Sequence, residues 1–156
     1  MNRLVAHSLI VLVAITAYSW LPLQAQNAPQ RIAACSLLTK AEVRKHLHWN
    51  DIVDRMPPEE EPVGTAGSSC NYPSVFIQVF PVGRLVRGQP TTDPGWQAMA
   101  GLGDEAWFRP NRTNYAELYV KTATHTLTIQ ANANGNVEAV KPGAASLAKA
   151  LLAKLR

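Results

Sequence analysis

The 156-residue chain lacks most of the short motifs that reveal a chemical activity from sequence. It has no Gly-x-Ser-x-Gly, His-Glu-x-x-His or phosphate-binding glycine motif. It has only two cysteines, and they lack the Cys-x-x-Cys spacing of redox and zinc sites. The sequence therefore does not identify an enzyme, and a hydrolase-like enzyme with dispersed catalytic residues stays an alternative.

The chain also lacks a strong excess of charge of one sign. It has 15 Lys and Arg against 11 Asp and Glu, a formal net charge of +4, and the basic residues do not cluster in one stripe. We therefore expect no nucleic-acid partner. Charged residues make up 17% and hydrophobic residues 47%, which is typical of a globular chain rather than a disordered one.

The N-terminus has the layout of a secretory signal peptide. Arg3 supplies positive charge, residues 9–17 form an apolar run, and Ala25 is a small residue suited to cleavage. A membrane anchor is the alternative, but a spanning helix needs about 20 apolar residues. Here His7 and Ser8 interrupt the run, so the pattern favours cleavage and export.

These features predict the organisation of the whole chain. We expect a cleaved signal peptide over residues 1–25, a mobile lead-in over residues 26–34 and a single exported domain over residues 35–156. The expected location is periplasmic or secreted, with no stable membrane anchor after cleavage.

Cys35 and Cys70 are predicted to form one disulfide, because exported proteins fold in an oxidising compartment. Closing a loop of about 36 residues stabilises a domain by roughly 3.8 kcal/mol on the chain-entropy model. Residues 32–35 also have the residue types of a bacterial lipoprotein cleavage box, in which Cys35 would be lipidated. The polar residues 26–31 separate this box from the apolar run, so we prefer the disulfide.

The helical patterns lie at the two ends of the predicted domain. Thr39 and Glu42 form a capping box, which predicts a helix over residues 40–47. Residues 93–100 have Asp and Pro at the positions that start a helix, which predicts a short helical turn. The last helix has an apolar face made of Ala144, Leu147, Leu151, Leu152 and Leu155.

The strand patterns lie between these helices. Residues 69–82 predict one long strand, residues 105–109 an extended segment, and residues 115–121 and 124–132 a β-hairpin with one wet face. Residues 56–62 contain three prolines and three adjacent glutamates, which predict an exposed loop. The expected fold is therefore α+β: an antiparallel sheet with an N-terminal and a C-terminal helix packed on it.

Three segments in this order carry a family resemblance. Residues 35–43 read Cys-Ser-Leu-Leu-Thr-Lys-Ala-Glu-Val, residues 69–72 read Ser-Cys-Asn-Tyr, and residues 101–106 read Gly-Leu-Gly-Asp-Glu-Ala. Together they resemble a poorly characterised family of bacterial secreted proteins and lipoproteins, some of which are similar to sensor domains. The resemblance implies an exported α+β domain with paired cysteines and brings no catalytic residues.

Two sets of side chains are candidates for binding. His46 and His48 are weak metal candidates, because on a helix they would point about 200° apart, so we predict no metal site and no cofactor. The second set could border a groove for an anionic or sugar-like envelope ligand, provided that its members share one face of the fold. This set is Arg84, Trp96, Trp107 and Arg109.

The sequence therefore predicts an exported, non-enzymatic binding or envelope-associated domain. Its expected partner is an unknown envelope protein or a small ligand. Besides the enzyme named above, the alternative is a structural partner of another envelope protein, which would need an exposed apolar patch.

Overall fold

The computed structural model describes residues 31–47, 56–82, 94–110 and 114–156. The predicted signal peptide and residues 26–30 of the predicted lead-in lie outside the described residues, as do His48 and Arg84. In chain order the elements are α1 (Ala34–Leu37), α2 (Lys40–His46), β1 (Glu59–Val63), β2 (Gly67–Tyr72), β3 (Val75–Pro81), β4 (Gln97–Ala98), β5 (Glu105–Pro110), β6 (Tyr115–Lys121), β7 (His125–Asn132) and α3 (Val137–Lys154).

The seven strands form one antiparallel sheet in the order β1-β2-β3-β7-β6-β5-β4. Successive side chains of a strand point to opposite faces, so the register assigns every residue to one of two faces. The first face of the sheet carries aliphatic residues such as Ile77 and Ile129, which pair across β3 and β7. These residues share one buried cluster with Leu147 and Leu151 of α3 and with Val43 of α2. An antiparallel sheet combined with helices is therefore confirmed.

The predicted disulfide is confirmed. Cys35 of α1 and Cys70 of β2 are bonded, with their Cα atoms 4.9 Å apart and 35 positions apart in the chain. Cys70 is fully buried in the main cluster. The bond therefore ties the first helix to the interior of the sheet. Among the described helices, none combines the length and the apolar character needed to cross a bilayer.

The capping box at the start of α2 forms as predicted. Thr39 Oγ1 accepts a hydrogen bond from Glu42 N at 3.2 Å, and Glu42 Oε2 accepts one from Thr39 N at 2.7 Å. Backbone donation from Thr39 holds the pKa of the Glu42 carboxyl below its ordinary value. The two bonds satisfy amides that a helix start otherwise leaves without partners.

The loop predicted over residues 56–62 is wrong, because Glu59–Val63 forms the edge strand β1. Glu60 points to the first face, and its two carboxylate oxygens accept hydrogen bonds from Ala34 N and Cys35 N at 2.8 Å each. Glu59 and Glu61 point to the other face. Charged side chains and a proline suit an edge strand, since its outer side has no partner strand within the described residues.

Two further sequence predictions need correction. The single strand over residues 69–82 is two strands, because Pro73 and Ser74 make a tight turn in which Ser74 has φ of 67°. The short helix over residues 93–100 is instead a turn followed by β4, which pairs with Phe108 and Trp107 of β5. Residue 93, on which the predicted helix start depended, lies outside the described residues.

Candidate ligand-binding face

The second face of the sheet lies opposite the buried aliphatic cluster and carries mainly polar and aromatic side chains. The cross-strand register sorts them into rows that run across several strands. The first row contains Arg109, Glu117, Gln130, Phe76 and Asn71, each opposite the next. At a strand spacing of 4.7–4.9 Å, this row is about 19 Å long from β5 to β2.

Hydrogen bonds link the β5 end of the first row into one network. Arg109 Nε donates to Glu117 Oε2 at 2.8 Å, and Arg109 Nη2 donates to the same oxygen. Gln130 Nε2 donates to Glu117 Oε1 at 3.0 Å, so both carboxylate oxygens are engaged. The Arg109 guanidinium also lies 4.6 Å from the centroid of the Trp96 ring, within cation–π distance.

The second row runs parallel to the first and lies two residues away along each strand. It contains Trp107, Tyr119, Thr128 and Gln78. The rings of Trp107 and Tyr119 are 5.7 Å apart at 57°, a tilted aromatic contact. Thr128 Oγ1 donates to Gln78 Oε1 at 3.1 Å.

The hairpin predicted from the sequence is confirmed, but its second face is not uniformly wet. Tyr119 is only 5% exposed and Thr126 only 2% exposed, while Glu117, Thr128 and Gln130 are half-buried. The second face is thus a packed polar surface rather than a freely solvated one.

A cavity of about 400 Å³ opens at the β2–β3 turn end of the first row. Phe76, Gln130 and Asn71 line it together with Tyr115, whose side chain is 44% exposed. This volume lies within the usual range for small-molecule sites, which combine apolar walls with a few polar groups. The first row therefore runs from an aromatic–guanidinium contact at β5 into a pocket at β2 and β3.

A second cavity of about 390 Å³ lies at the other end of the strands, beside the C-terminal end of α3. His125 and Asp104 line it with Thr122 and Thr124. The threonine hydroxyls are engaged locally: Thr122 Oγ1 bonds to the His125 backbone and Thr124 Oγ1 to the His125 ring. Burial lowers the pKa of His125. These bonds give the cavity wall a structural role.

Three of the four predicted groove residues come together on the second face. Trp107 and Arg109 occupy alternate positions of β5, and Trp96 lies against Arg109. Arg84 lies outside the described residues. Sequence reasoning missed Glu117 and Gln130, which hold Arg109 in place. The alternation of the hairpin strands contained a signal for Glu117, because it shares a face with the two tyrosines of β6.

His46, one of the two histidine candidates, bonds to α3. His46 Nδ1 is 2.9 Å from Ser146 Oγ, a hydrogen bond that joins α2 to α3. His48 lies outside the described residues. Within the part of the chain that the structure describes, no three His, Cys, Asp or Glu side chains are grouped in a way that could hold a metal ion.

The charges on the β5, β6 and β7 half of the second face are paired around the aromatic residues. Lys121 Nζ lies 2.9 Å from Glu105 Oε1, and this hydrogen bond raises the pKa of Lys121. With the Arg109–Glu117 pair, the half of the face formed by β5, β6 and β7 has two cations and two carboxylates among its described strand residues. It is therefore electrically neutral.

One donor at this face lacks a partner. Trp96 Nε1 is buried and makes no hydrogen bond within the described residues. A buried donor without an acceptor costs about 1–3 kcal/mol relative to a bonded one.

Comparisons of the chain with protein-family models, with curated proteins and with solved structures find no match.

Proposed function

We propose that this chain is an exported, non-enzymatic binding domain whose ligand lies along the first row of the second face. The observation that carries the proposal is the continuity of that row. The Arg109–Trp96 contact, the amide of Gln130, the ring of Phe76 and a pocket of about 400 Å³ follow one another across the sheet. Small-molecule sites are usually concave, with apolar and aromatic walls and a few oriented polar groups.

Export rests on the signal-peptide pattern and is supported by the disulfide, which persists in oxidising compartments. We place the domain in the periplasm or outside the cell, among proteins that resemble the bacterial secreted family described above. Its fold in this proposal is α+β, with α1, α2 and α3 covering the first face of the sheet. On the second face Asn71, Phe76 and Gln130 stay at least partly exposed, and we propose that the ligand contacts them.

The enzyme alternative has less support from the described residues. Ser68 and Ser69 are almost fully buried, and each hydroxyl donates to a backbone carbonyl, of Ile32 and Glu61 respectively. Both cysteines form the disulfide. A nucleophile needs a nearby base to activate it, and the carboxylates Glu105 and Glu117 of the second face are each bonded to a cation.

The structural-partner alternative predicts a contiguous exposed apolar patch. Among the described residues, the exposed large apolar side chains are Met56, Val82 and Tyr115. Val82 follows the end of β3 and Tyr115 begins β6 beside the opposite end of β3, so these side chains are separated by the length of the sheet. They do not form one patch, which favours the binding domain.

Isothermal titration with defined polar probes tests the proposal. The probes are a tetrasaccharide of N-acetylglucosamine, its N-deacetylated cationic form, a sulfated tetrasaccharide and inorganic phosphate. We expect saturable binding of at least one probe below about 10 mM, and loss of that binding in Gln130→Ala. Gln97→Ala is the matched control, because Gln97 lies on β4 and bonds to Lys141 of α3.

Trp107→Leu is the second site variant, since leucine keeps apolar volume and removes the flat ring. A protein that binds none of the four probes would refute a binding role on this face. Binding that survives both Gln130→Ala and Trp107→Leu would refute the location. Thermal unfolding of each variant verifies that a lost titration signal reflects the site rather than the fold.

A further inference from the structure

The aromatic half of the second face is neutral, and we infer that its ligand is an uncharged saccharide rather than an anionic or cationic one. This inference rests on the proposed binding function and specifies its ligand class. It starts from Arg109, the residue that an anionic ligand would be expected to use.

Arg109 is already committed to Glu117. Two of its guanidinium nitrogens donate to the same carboxylate oxygen, and the pair is partly buried, with side chains 28% and 15% exposed. Charge-assisted Arg–carboxylate bonds of this kind are among the strongest that side chains make. An anion that approached Arg109 would meet the negative charge of Glu117 and would have to displace it from a half-buried position.

A cationic ligand meets a different obstacle. The aromatic face best suited to a cation is that of tryptophan, and the Arg109 guanidinium already lies over the Trp96 ring at 4.6 Å. The two carboxylates in this half of the face, Glu117 and Glu105, are both bonded to cations. In the half of the face formed by β5, β6 and β7, both strand carboxylates are therefore bonded to cations, and the Trp96 ring is already covered by Arg109.

An uncharged saccharide matches what the face does offer. The C–H faces of pyranose rings stack on flat apolar surfaces such as Trp107 and Phe76. Amide side chains can donate and accept at the same time, which suits hydroxyl and acetamide groups. Asn71 has both groups, while Gln130 and Gln78 contribute the amide atom that is not used in their bonds to Glu117 and Thr128. The first row spans about 19 Å, so it takes a chain of several sugar rings rather than one.

The experiment compares three tetrasaccharides by isothermal titration on the full mature protein: N-acetylglucosamine, its N-deacetylated cationic form and a sulfated form. We expect the uncharged one to bind at least about tenfold more tightly than either charged one, and to lose this binding in Trp107→Leu. Equal or tighter binding of a charged tetrasaccharide would overturn the inference and leave the proposed function standing. If none of the three, nor phosphate, binds, the proposed function itself fails.

A change of specificity provides a second and independent measurement. Glu117→Gln keeps the side-chain shape but removes the carboxylate that neutralises Arg109, so the sulfated tetrasaccharide should gain about tenfold in affinity. Glu105→Gln is the matched control: it removes the partner of Lys121 at an exposed position, where solvent and salt screen the charge, so the gain should stay below about threefold. No gain in Glu117→Gln, or an equal gain in both variants, would show that the ion pair does not set the ligand class.

Discussion

Gly143 gives a sharp test of how α2 and α3 pack. A glycine inside a helix is normally destabilising, and its replacement by alanine gains up to about 1 kcal/mol. Gly143 lies within α3 and faces the end of α2. A Cβ atom added there would lie 2.3 Å from the backbone oxygen of His46 and 2.9 Å from Leu47 Cδ2.

These distances predict that Gly143→Ala destabilises the protein instead of stabilising it. The Cβ would be more than about 1 Å inside ordinary contact with a backbone oxygen, which cannot rotate away as a side chain can. The helices would have to separate, which strains the His46–Ser146 hydrogen bond and the buried Leu47 contact. Overpacking of this kind costs about 1–3 kcal/mol. After subtraction of the helix-propensity gain of up to about 1 kcal/mol, we expect Gly143→Ala to lower the free energy of unfolding by up to about 2 kcal/mol.

Urea unfolding followed by circular dichroism measures this change. Ser146→Ala is the matched control, because it removes the exposed hydrogen bond between the helices without adding volume. The lost bond is worth about 0.5–1.5 kcal/mol and alanine regains about 0.5 kcal/mol of helix propensity, so the net cost should stay below about 1 kcal/mol. A Gly143→Ala protein that is more stable than the wild type by about 1 kcal/mol would refute the close approach of the two helices.

Three other perturbations follow from the same structure. Replacing Cys35 and Cys70 together by alanine should lower the free energy of unfolding in urea by about 3–4 kcal/mol, since 35 positions separate them; a loss below about 1 kcal/mol would contradict the loop-entropy account. Backbone donation from Thr39 lowers the pKa of Glu42, so the stability that this carboxylate adds is full above its ordinary pKa of 4.5 and is lost as the pH falls through the lower folded-state pKa. The melting-temperature gap to Glu42→Gln should therefore close in acid, and a gap that stays constant would argue against the capping role. Burial raises the pKa of Tyr72 to about 12, so the stabilisation is full below the ordinary pKa of 10 and is lost as the pH rises through about 12. Tyr72→Phe should remove a late step from the ultraviolet titration of the folded protein, and an unchanged late step would contradict the assignment.

The parts of the fold that the sequence predicted are those set by near neighbours in the chain. The capping box depends on Thr39 and Glu42, three positions apart, and it forms as expected. The hairpin depends on two alternating segments joined by a short turn, and β6 runs over the predicted residues. Gly101 and Gly103 both have positive φ, as their place in a Gly-Leu-Gly turn suggests.

The parts that were missed depend on contacts between distant residues. β1 looks like a loop because its glutamates and prolines disfavour a strand locally, yet Glu60 bonds to backbone amides 25 and 26 positions away. β4 has two residues and exists because β5 offers them an edge. The local sequence of β1 or β4 does not show which distant segment it contacts. In both cases the tertiary contact overrides the local conformational preference.

In the candidate site, too, some features follow from near neighbours in the chain and others depend on distant contacts. Trp107 and Arg109 are two positions apart on one strand, so their common face follows from alternation alone. The bonds from Arg109 to Glu117 and from Glu117 to Gln130 require the register of β5, β6 and β7, which is known only once all three strands are paired. The sequence could therefore propose aromatic and basic groups on one face, but not that the arginine is neutralised. The sequence alone was therefore compatible with an anionic ligand and with a sugar-like ligand.

The alternation of side chains along each strand also places the residues that stabilise the domain on one face and the residues that we propose to bind a ligand on the other. In β7, Leu127 and Ile129 are fully buried in the aliphatic cluster, while Thr128 and Gln130 between and beside them bond to side chains of the second face. A slip of one residue in β7 would exchange the two sets and expose the aliphatic side chains, so burial of the first face fixes the register. The same register then aligns Gln130 with Glu117 and Glu117 with Arg109. The hydrophobic core therefore fixes the register that aligns the polar network on the opposite face of the sheet.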